Sequence, residues 1–306
     1  MIDLSIVIAS FNTEKLTRDC LESVFAHTKG IKIEIIVVDN ASKDGSVKIL
    51  KTLAKKHPLT VIVNKKNVGF GQGNNQGIFK AKGKYILLLN TDTIISDNVL
   101  GEMVEYMDKS KDVGVATCAL KFPDGSLQGT GGYFPTLLKI FFWMFFIDDI
   151  PGLDRAIKPF HPMHPLSPID SGSSYFEEPH DQDWITGAFF LVRAEIIKKV
   201  GGFDKDYFMY VEEVDLCKRI KNDGWKIKYL PKWSIIHLGG ASSTAEFPIL
   251  NEIKSLKVYY KKQMPSWQMP IMRALMKTGS LMRMIVFGIL KGKEAFITYA
   301  KAFKTA

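Results

Sequence analysis

Through the first 120 residues, continuous apolar runs alternate with segments whose apolar residues recur every three or four positions. The first pattern marks a strand buried on both faces, and the second marks an amphipathic helix. Strands are predicted at Leu4 to Ala9, Ile33 to Val38, Thr60 to Val63, Tyr85 to Leu89 and Val113 to Leu120. Helices are predicted around Leu16, Cys20, Leu21 and Val24, around Val47, Leu50 and Leu53, and over Asp97 to Asp108. Asn67 to Gly77 (NVGFGQGNNQG) is rich in glycine and amides and reads as a turn leading into a helix near Ile78. This alternation implies a parallel, doubly wound α/β sheet with right-handed crossovers.

The rhythm breaks at Lys121. Residues 121–183 carry many prolines and glycines and are expected to be irregular, with one aromatic run from Ile140 to Phe146. Apolar character returns from Asp183 to Arg193. Helices follow at Ala194 to Val200 and from Val211 to Gly224, then short strands at Lys226 to Leu230 and Ser234 to His237. From Ile253 the pattern is helical to the end.

Charge divides the chain. The formal net charge is +9, and residues 251–306 hold eleven Lys and Arg against Glu252 and Glu294. The tail therefore carries the whole excess, and the chain reads as a catalytic α/β domain over 1–250 and a basic amphipathic helical tail over 251–306. On an ideal helix Arg273, Lys277, Arg283 and Lys291 share about a third of the circumference, beside a wide apolar face. The longest apolar stretch is interrupted by Arg283 and is too short to span a bilayer. Such a tail suits an anionic membrane surface; packing on the catalytic domain or on a second copy in a homodimer is an equal alternative. The charge is not interleaved with stacking aromatics, which argues against nucleic acid. Cys20, Cys118 and Cys217 are odd in number and far apart, as in a reducing compartment without disulfides. Asp3 stands where a signal peptide would be basic. A cytoplasmic protein is expected, at the inner face of the cell membrane if the tail binds lipid.

Several groups could carry chemistry. Asp39 and Asp92 each follow a strand, at the sheet edge where α/β proteins bind ligands. A carboxylate there binds a base, a ribose or a hard cation, or simply caps a turn. Glu212, Glu213 and Asp215 crowd the first turn of a helix. Acids there complement the helix dipole, but three carboxylates beside Tyr207, Phe208 and Tyr210 also raise one another's pKa, as a general base requires. His237 closes an apolar strand as Asp92 does, and an Asp and a His together suit Mn²⁺ or Mg²⁺. No G-x-G-x-x-G follows the first strand and no Gly-Lys-Ser/Thr loop occurs, which argues against a nicotinamide enzyme and a P-loop NTPase.

Taken in order, these pieces resemble the family 2 inverting glycosyltransferases, in particular the rhamnosyltransferase-like branch. The residues that carry the resemblance begin with Ser5-Ile6-Val7-Ile8 with Phe11-Asn12, Val37-Val38-Asp39-Asn40-Ala41-Ser42 with Asp44-Gly45-Ser46, and Asn67-Val68-Gly69-Phe70 with Gly73-Asn74-Asn75. They continue through Leu88-Leu89-Asn90-Thr91-Asp92, Thr186-Gly187-Ala188, Gly202-Phe203-Asp204, Glu212 to Cys217, and His237-Leu238-Gly239-Gly240. The resemblance implies a GT-A fold, a Rossmann-like, doubly wound and mostly parallel sheet, here with a basic helical C-terminal extension. It implies a nucleoside-diphosphate-sugar donor, with uridine or thymidine as base, and a glycan or polyprenyl-linked acceptor. Ala9, Phe11 and Asp39 would hold base and ribose. Asn67, Gly69, Gly73, Asn74, Asn90, Thr91 and Gly187 would shape the nucleotide-sugar pocket. Asp92 and His237 would bind metal, Glu213 would be the base, and Asp215 the second acid of its motif.

Two positions depart from the family pattern. Asn90 replaces the first acid of the metal motif. Glu213 stands where Asp is usual, which moves the carboxylate outward by about 1.5 Å and leaves Glu212 as an alternative base. A catalytically inactive nucleotide-sugar-binding protein of the same fold would show the same two departures.

Overall fold

The computed structural model describes residues 1–150, 153–163, 173–239 and 246–306. Its first part is strand and helix in alternation: β1 (Leu4–Ser10), α1 (Glu14–His27), β2 (Ile33–Asp39), α2 (Ser46–Leu53), β3 (Leu59–Val63), α3 (Phe70–Ile78) and β4 (Tyr85–Leu89). Next come β5 (Thr93–Ile94), α4 (Val99–Lys109), β6 (Val113–Lys121), β7 (Leu127–Gln128), α5 (Leu137–Met144), α6 (Asp154–Ile157), a 3-10 turn at Ser173–Phe176 and β8 (His180–Asp181). The chain closes with β9 (Phe189–Arg193), α7 (Ala194–Val200), α8 (Glu212–Asn222), β10 (Lys226–His237), α9 (Glu246–Gln263), α10 (Gln268–Lys291) and α11 (Lys293–Thr305).

One sheet runs β3-β2-β1-β4-β9-β6-β10-β5. Strands β3, β2, β1 and β4 are parallel, as expected. β9 inserts antiparallel between β4 and β6, and β5 lies antiparallel to the end of β10. The two short strands expected between Lys226 and His237 form one, with a register break between Leu230 and Ser234 that follows Pro231.

Alternate residues of the central strands feed two cores. Ile6, Ile8, Leu87 and Leu89 pack with residues of α1, α2 and α4. Val7, Ile86 and Leu88 face α3, α7, α8 and the tail helices. The glycine-rich stretch expected as a turn is the helix α3. Its glycines permit close approach to the sheet: a Cβ on Gly77 would stand 2.4 Å from Val7 Cγ1. The aromatic run in the region expected to be irregular forms α5, which α10 covers.

The tail packs on the catalytic domain. Met272, Met276, Phe287 and Tyr299 are buried in one core with Val214 and Ile253. Helix α9 begins at Glu246 and so runs through residue 250. Arg283, expected on a basic surface face, is buried instead, with Nε and Nη2 donating to the carbonyls of Met144 and Trp143. Those carbonyls lie in the last turn of α5, where i+4 partners run out, so the buried cation helps to close that helix. No helix among the described residues is long and apolar enough to cross a membrane.

Candidate active site

The ends of β1 and β2 lie side by side, with Ser10 paired to Asp39. Asn12 and Ala41, both in the left-handed region, turn the two following loops. The loops are tied together where Asn12 N donates to Ser42 Oγ and Lys43 N donates to Asn12 Oδ1. Asp39 is fully buried. Its Oδ1 accepts from Ser42 N at 2.9 Å, while Oδ2 has no partner. A buried carboxylate oxygen without a donor is costly, so Oδ2 has an unmet capacity to accept a hydrogen bond. Ala9, next to Ser10 in β1, is partly exposed, and Phe11 is half-exposed.

Asn67 Oδ1 accepts from Gly69 N, and Phe70 N donates to Phe208 O. Gly69 has φ +87°, and a Cβ there would meet Phe208 O at 2.3 Å. The turn therefore locks α3 against the loop that precedes α8. Gly73 lies against the Asn40 amide, and Asn74 donates within α3 to Phe70 O.

Strand pairing brings the metal candidates together. β5 follows Asp92 directly and pairs antiparallel with β10, setting Thr93 opposite His237. His237 Nε2 then stands 3.3 Å from Asp92 Oδ1. Gln128 fixes the ring: its Nε2 donates to His237 O, so its Oε1, 2.7 Å from Nδ1, must accept the Nδ1 proton. Nε2 is left facing the carboxylate. Burial pushes the Asp92 carboxyl up, but the hydrogen bond and charge of His237, with backbone N–H groups, outweigh it and hold the pKa below the ordinary value. The donor set fits a divalent cation, since adjacent ligands with bonds of about 2.1 Å stand about 3 Å apart. Among the described residues no third His, Cys, Asp or Glu joins the pair. Asn90 lies beside it, its N–H donating to Ala188 O, and Thr91 is buried next to it.

The start of α8 lines the same cavity, of about 480 Å³, as the residues at the sheet edge: Asn90, Gly187, Glu212, Glu213 and His237 all border it. Tyr210 and Val211 before the helix both have φ of 67°. A left-handed β-branched residue is strained, and this strained turn presents the two glutamates. Each has one carboxylate oxygen that is buried and unpartnered. Burial raises both pKa values; Glu212 is raised further by Glu213, and Glu213 further by Glu252, with His161 opposing. The dipole at the helix N-terminus does not overcome this. Asp215 is not part of the lining. Its Oδ2 pairs with Arg219 Nε at 2.9 Å and its Oδ1 accepts from Gln263 Nε2 at 2.7 Å. Asp215, expected as the second acid of the motif, ties α8 to α9.

Sequence reasoning missed Gln128, Trp184, His161 and Glu252. His161 Nε2 is 2.7 Å from Glu252 Oε1, and both line the cavity with Trp184. No local spacing signals a pair drawn from an irregular segment and the tail.

The glycosyl transferase family 2 model matches residues 5–164, which span β1 to the aromatic helix and beyond. The chain belongs to glycosyl transferase family 2. The transferase is 28% identical over 239 residues to Escherichia coli rhamnosyltransferase WbbL, covering 76% of this chain and 82% of that one. It is 23% identical over 217 residues to the Mycobacterium tuberculosis N-acetylglucosaminyl-diphospho-decaprenol L-rhamnosyltransferase, covering 67% and 66%. Among solved structures it is similar to the mannosyltransferase PcManGT of Pyrobaculum calidifontis in complex with GDP-Man and Mn²⁺. The TM-score is 0.59 at 16% identity, covering 99% of this chain and 76% of that one. Staphylococcus aureus TarS 1–349 in complex with UDP-GlcNAc is similar with a TM-score of 0.54 at 13% identity, covering 99% and 92%. These likenesses confirm the GT-A fold of the transferase.

Proposed function

We propose that the transferase moves a deoxyhexose of the rhamnose class, with inversion, from a thymidine or uridine diphosphate to a hydroxyl of a lipid-linked glycan. The observation that carries this reading is that one cavity is lined both by Asn90 and His237 and by Glu212 and Glu213. Asp39 Oδ2 accepts the N3–H that uracil and thymine share. Asp92 and His237 would hold an Mn²⁺ or Mg²⁺, which would supply positive charge to neutralise the diphosphate leaving group. Glu213 takes the proton of the acceptor hydroxyl as its oxygen bonds to the anomeric carbon and the bond to the phosphate oxygen breaks. No covalent link to the protein is needed. The names of the two rhamnosyltransferases support the sugar class, and the second supports a polyprenyl diphosphate acceptor.

The outer face of the tail supports work at a membrane surface. Leu281, Ile285 and Ile289 are exposed at four-residue spacing on α10, beside Leu138 of α5 and Phe296 of α11. Lys277, Lys291 and Lys293 border them, as suits anionic lipid. A transfer assay with dTDP-rhamnose and UDP-sugars, with and without Mn²⁺, tests the reading. Metal-dependent transfer that Glu213→Gln abolishes is expected; wild-type rates in that variant would move the base elsewhere.

A further inference from the structure

Around Glu252 the cavity is aromatic and acidic. Trp143, Phe160, Trp184 and Tyr210 are among its lining residues, and Glu252 joins Glu212 and Glu213 there. Trp184 is held in place by its Nε1 donating to Tyr133 O at 3.2 Å. Its ring lies 5.5 Å from Phe160 and 5.5 Å, edge to face, from His161. His161 in turn is held on Glu252. Arg283 is the one Lys or Arg among the lining residues. Its guanidinium is engaged with the carbonyls of α5 and stacked 4.4 Å over Phe146. Asp148, also buried, lies close enough to Arg283 to feel its charge.

Flat aromatic walls suit the C–H faces of a pyranose, and carboxylates with an imidazole accept and donate to its hydroxyls. Glu252 in particular disfavours an anion, and among the described lining residues no Lys or Arg other than the engaged Arg283 offsets it. Resting on the transferase reading, we infer that this part of the cavity is an acceptor subsite for an uncharged pyranose, stacked at Trp184 and hydrogen-bonded by the His161–Glu252 pair, and that it rejects uronic acids. The acidic lining works by unfavourable contact with the wrong sugar as much as by favourable contact with the right one. A phosphate on the acceptor must lie outside this part of the cavity.

The test is isothermal titration of the full chain, with UDP or dTDP and Mn²⁺ present, at pH 8. The probes are octyl β-glucoside, octyl β-N-acetylglucosaminide and octyl β-glucuronide. In the wild type, one or both neutral glycosides should bind at least tenfold more tightly than the glucuronide. In Glu252→Gln the preference should shrink to less than threefold, and in Trp184→Leu neutral binding should weaken at least tenfold. Glucuronide binding as tight as that of both neutral glycosides in the wild type overturns the proposal whether or not the variants fold. Neutral binding unchanged in a folded Trp184→Leu also overturns it, because the octyl chains are then adsorbing elsewhere. Absence of nucleotide binding in the same titrations counts instead against the transferase reading.

Discussion

His237 Nε2 faces Asp92 Oδ1 across 3.3 Å because β5, starting one residue after Asp92, pairs with the end of β10. The ring cannot rotate away while Gln128 holds both Nδ1 and the His237 carbonyl. Asp92→Ala should abolish the Mn²⁺ dependence of donor binding. Gln128→Ala keeps both ligands but frees the ring, and should weaken Mn²⁺ affinity by about 10- to 100-fold. Titration of Mn²⁺ in the presence of the nucleotide checks both. Equal affinities in wild type and Gln128→Ala would show that His237 is not a ligand.

The glutamates at the start of α8 link activity and stability to pH with opposite signs. Glu213 is raised to about 7 from an ordinary value of 4.5. As a base it works ionised, so kcat/KM should rise with pH through about 7. Between 4.5 and 7 the folded state binds more protons than the unfolded state, so stability falls as pH rises through that window. Glu212, raised by burial and by Glu213, adds in the same direction. Glu212→Gln should therefore raise the Tm by on the order of 3 °C at pH 8 and leave it nearly unchanged at pH 4.5. Melting curves at the two pH values decide; a pH-independent shift would mean that charge is not the cause.

The strand ends were legible because a buried parallel strand announces itself as a continuous apolar run, and the residue after it falls at the ligand edge. Asp39, Asp92 and His237 all follow from that rule. Glu212 and Glu213 were legible as acids in excess of what a helix start requires. The ion pair of Asp215 was legible too, since Arg219 four residues on offers an i,i+4 partner. The rest depended on contacts between distant segments. The antiparallel insertion of β9 is set by packing between β4 and β6. Arg283 reads as surface charge until α5 supplies carbonyls that need a donor. Gln128, His161 and Glu252 come from stretches whose local pattern carries no chemistry.

The proposed recognition of the base by Asp39 has a direct test. Asp39 Oδ2 is buried and unpartnered while Oδ1 is occupied by Ser42 N. Asp39→Ala should cost nucleotide affinity about 10- to 100-fold, as expected for one charge-assisted hydrogen bond. Uridine diphosphate methylated at N3 should lose affinity to a similar degree against the wild type and bind the variant no worse than the parent nucleotide. Equal discrimination by both proteins would remove Asp39 from base recognition.

The tail cannot be tested by cutting it off. Met272, Met276, Phe287 and Tyr299 complete the core that supports α8, and a chain ending near residue 250 would expose that core to water. Each such buried side chain is worth about 1.5–3 kcal/mol, so the truncated chain should fail to fold rather than report on lipid. Ile285 and Ile289 are exposed by 55% and 79% and touch solvent on the opposite side of α10. Ile285→Glu with Ile289→Glu should leave the Tm within about 2 °C, since exposed sites are nearly neutral to substitution. The same pair should abolish flotation with anionic liposomes, because it places two like charges against the lipid and removes two apolar anchors. Flotation of the double variant equal to that of the wild type would assign the apolar face to a second copy of the chain, to be read as a dimer by sedimentation.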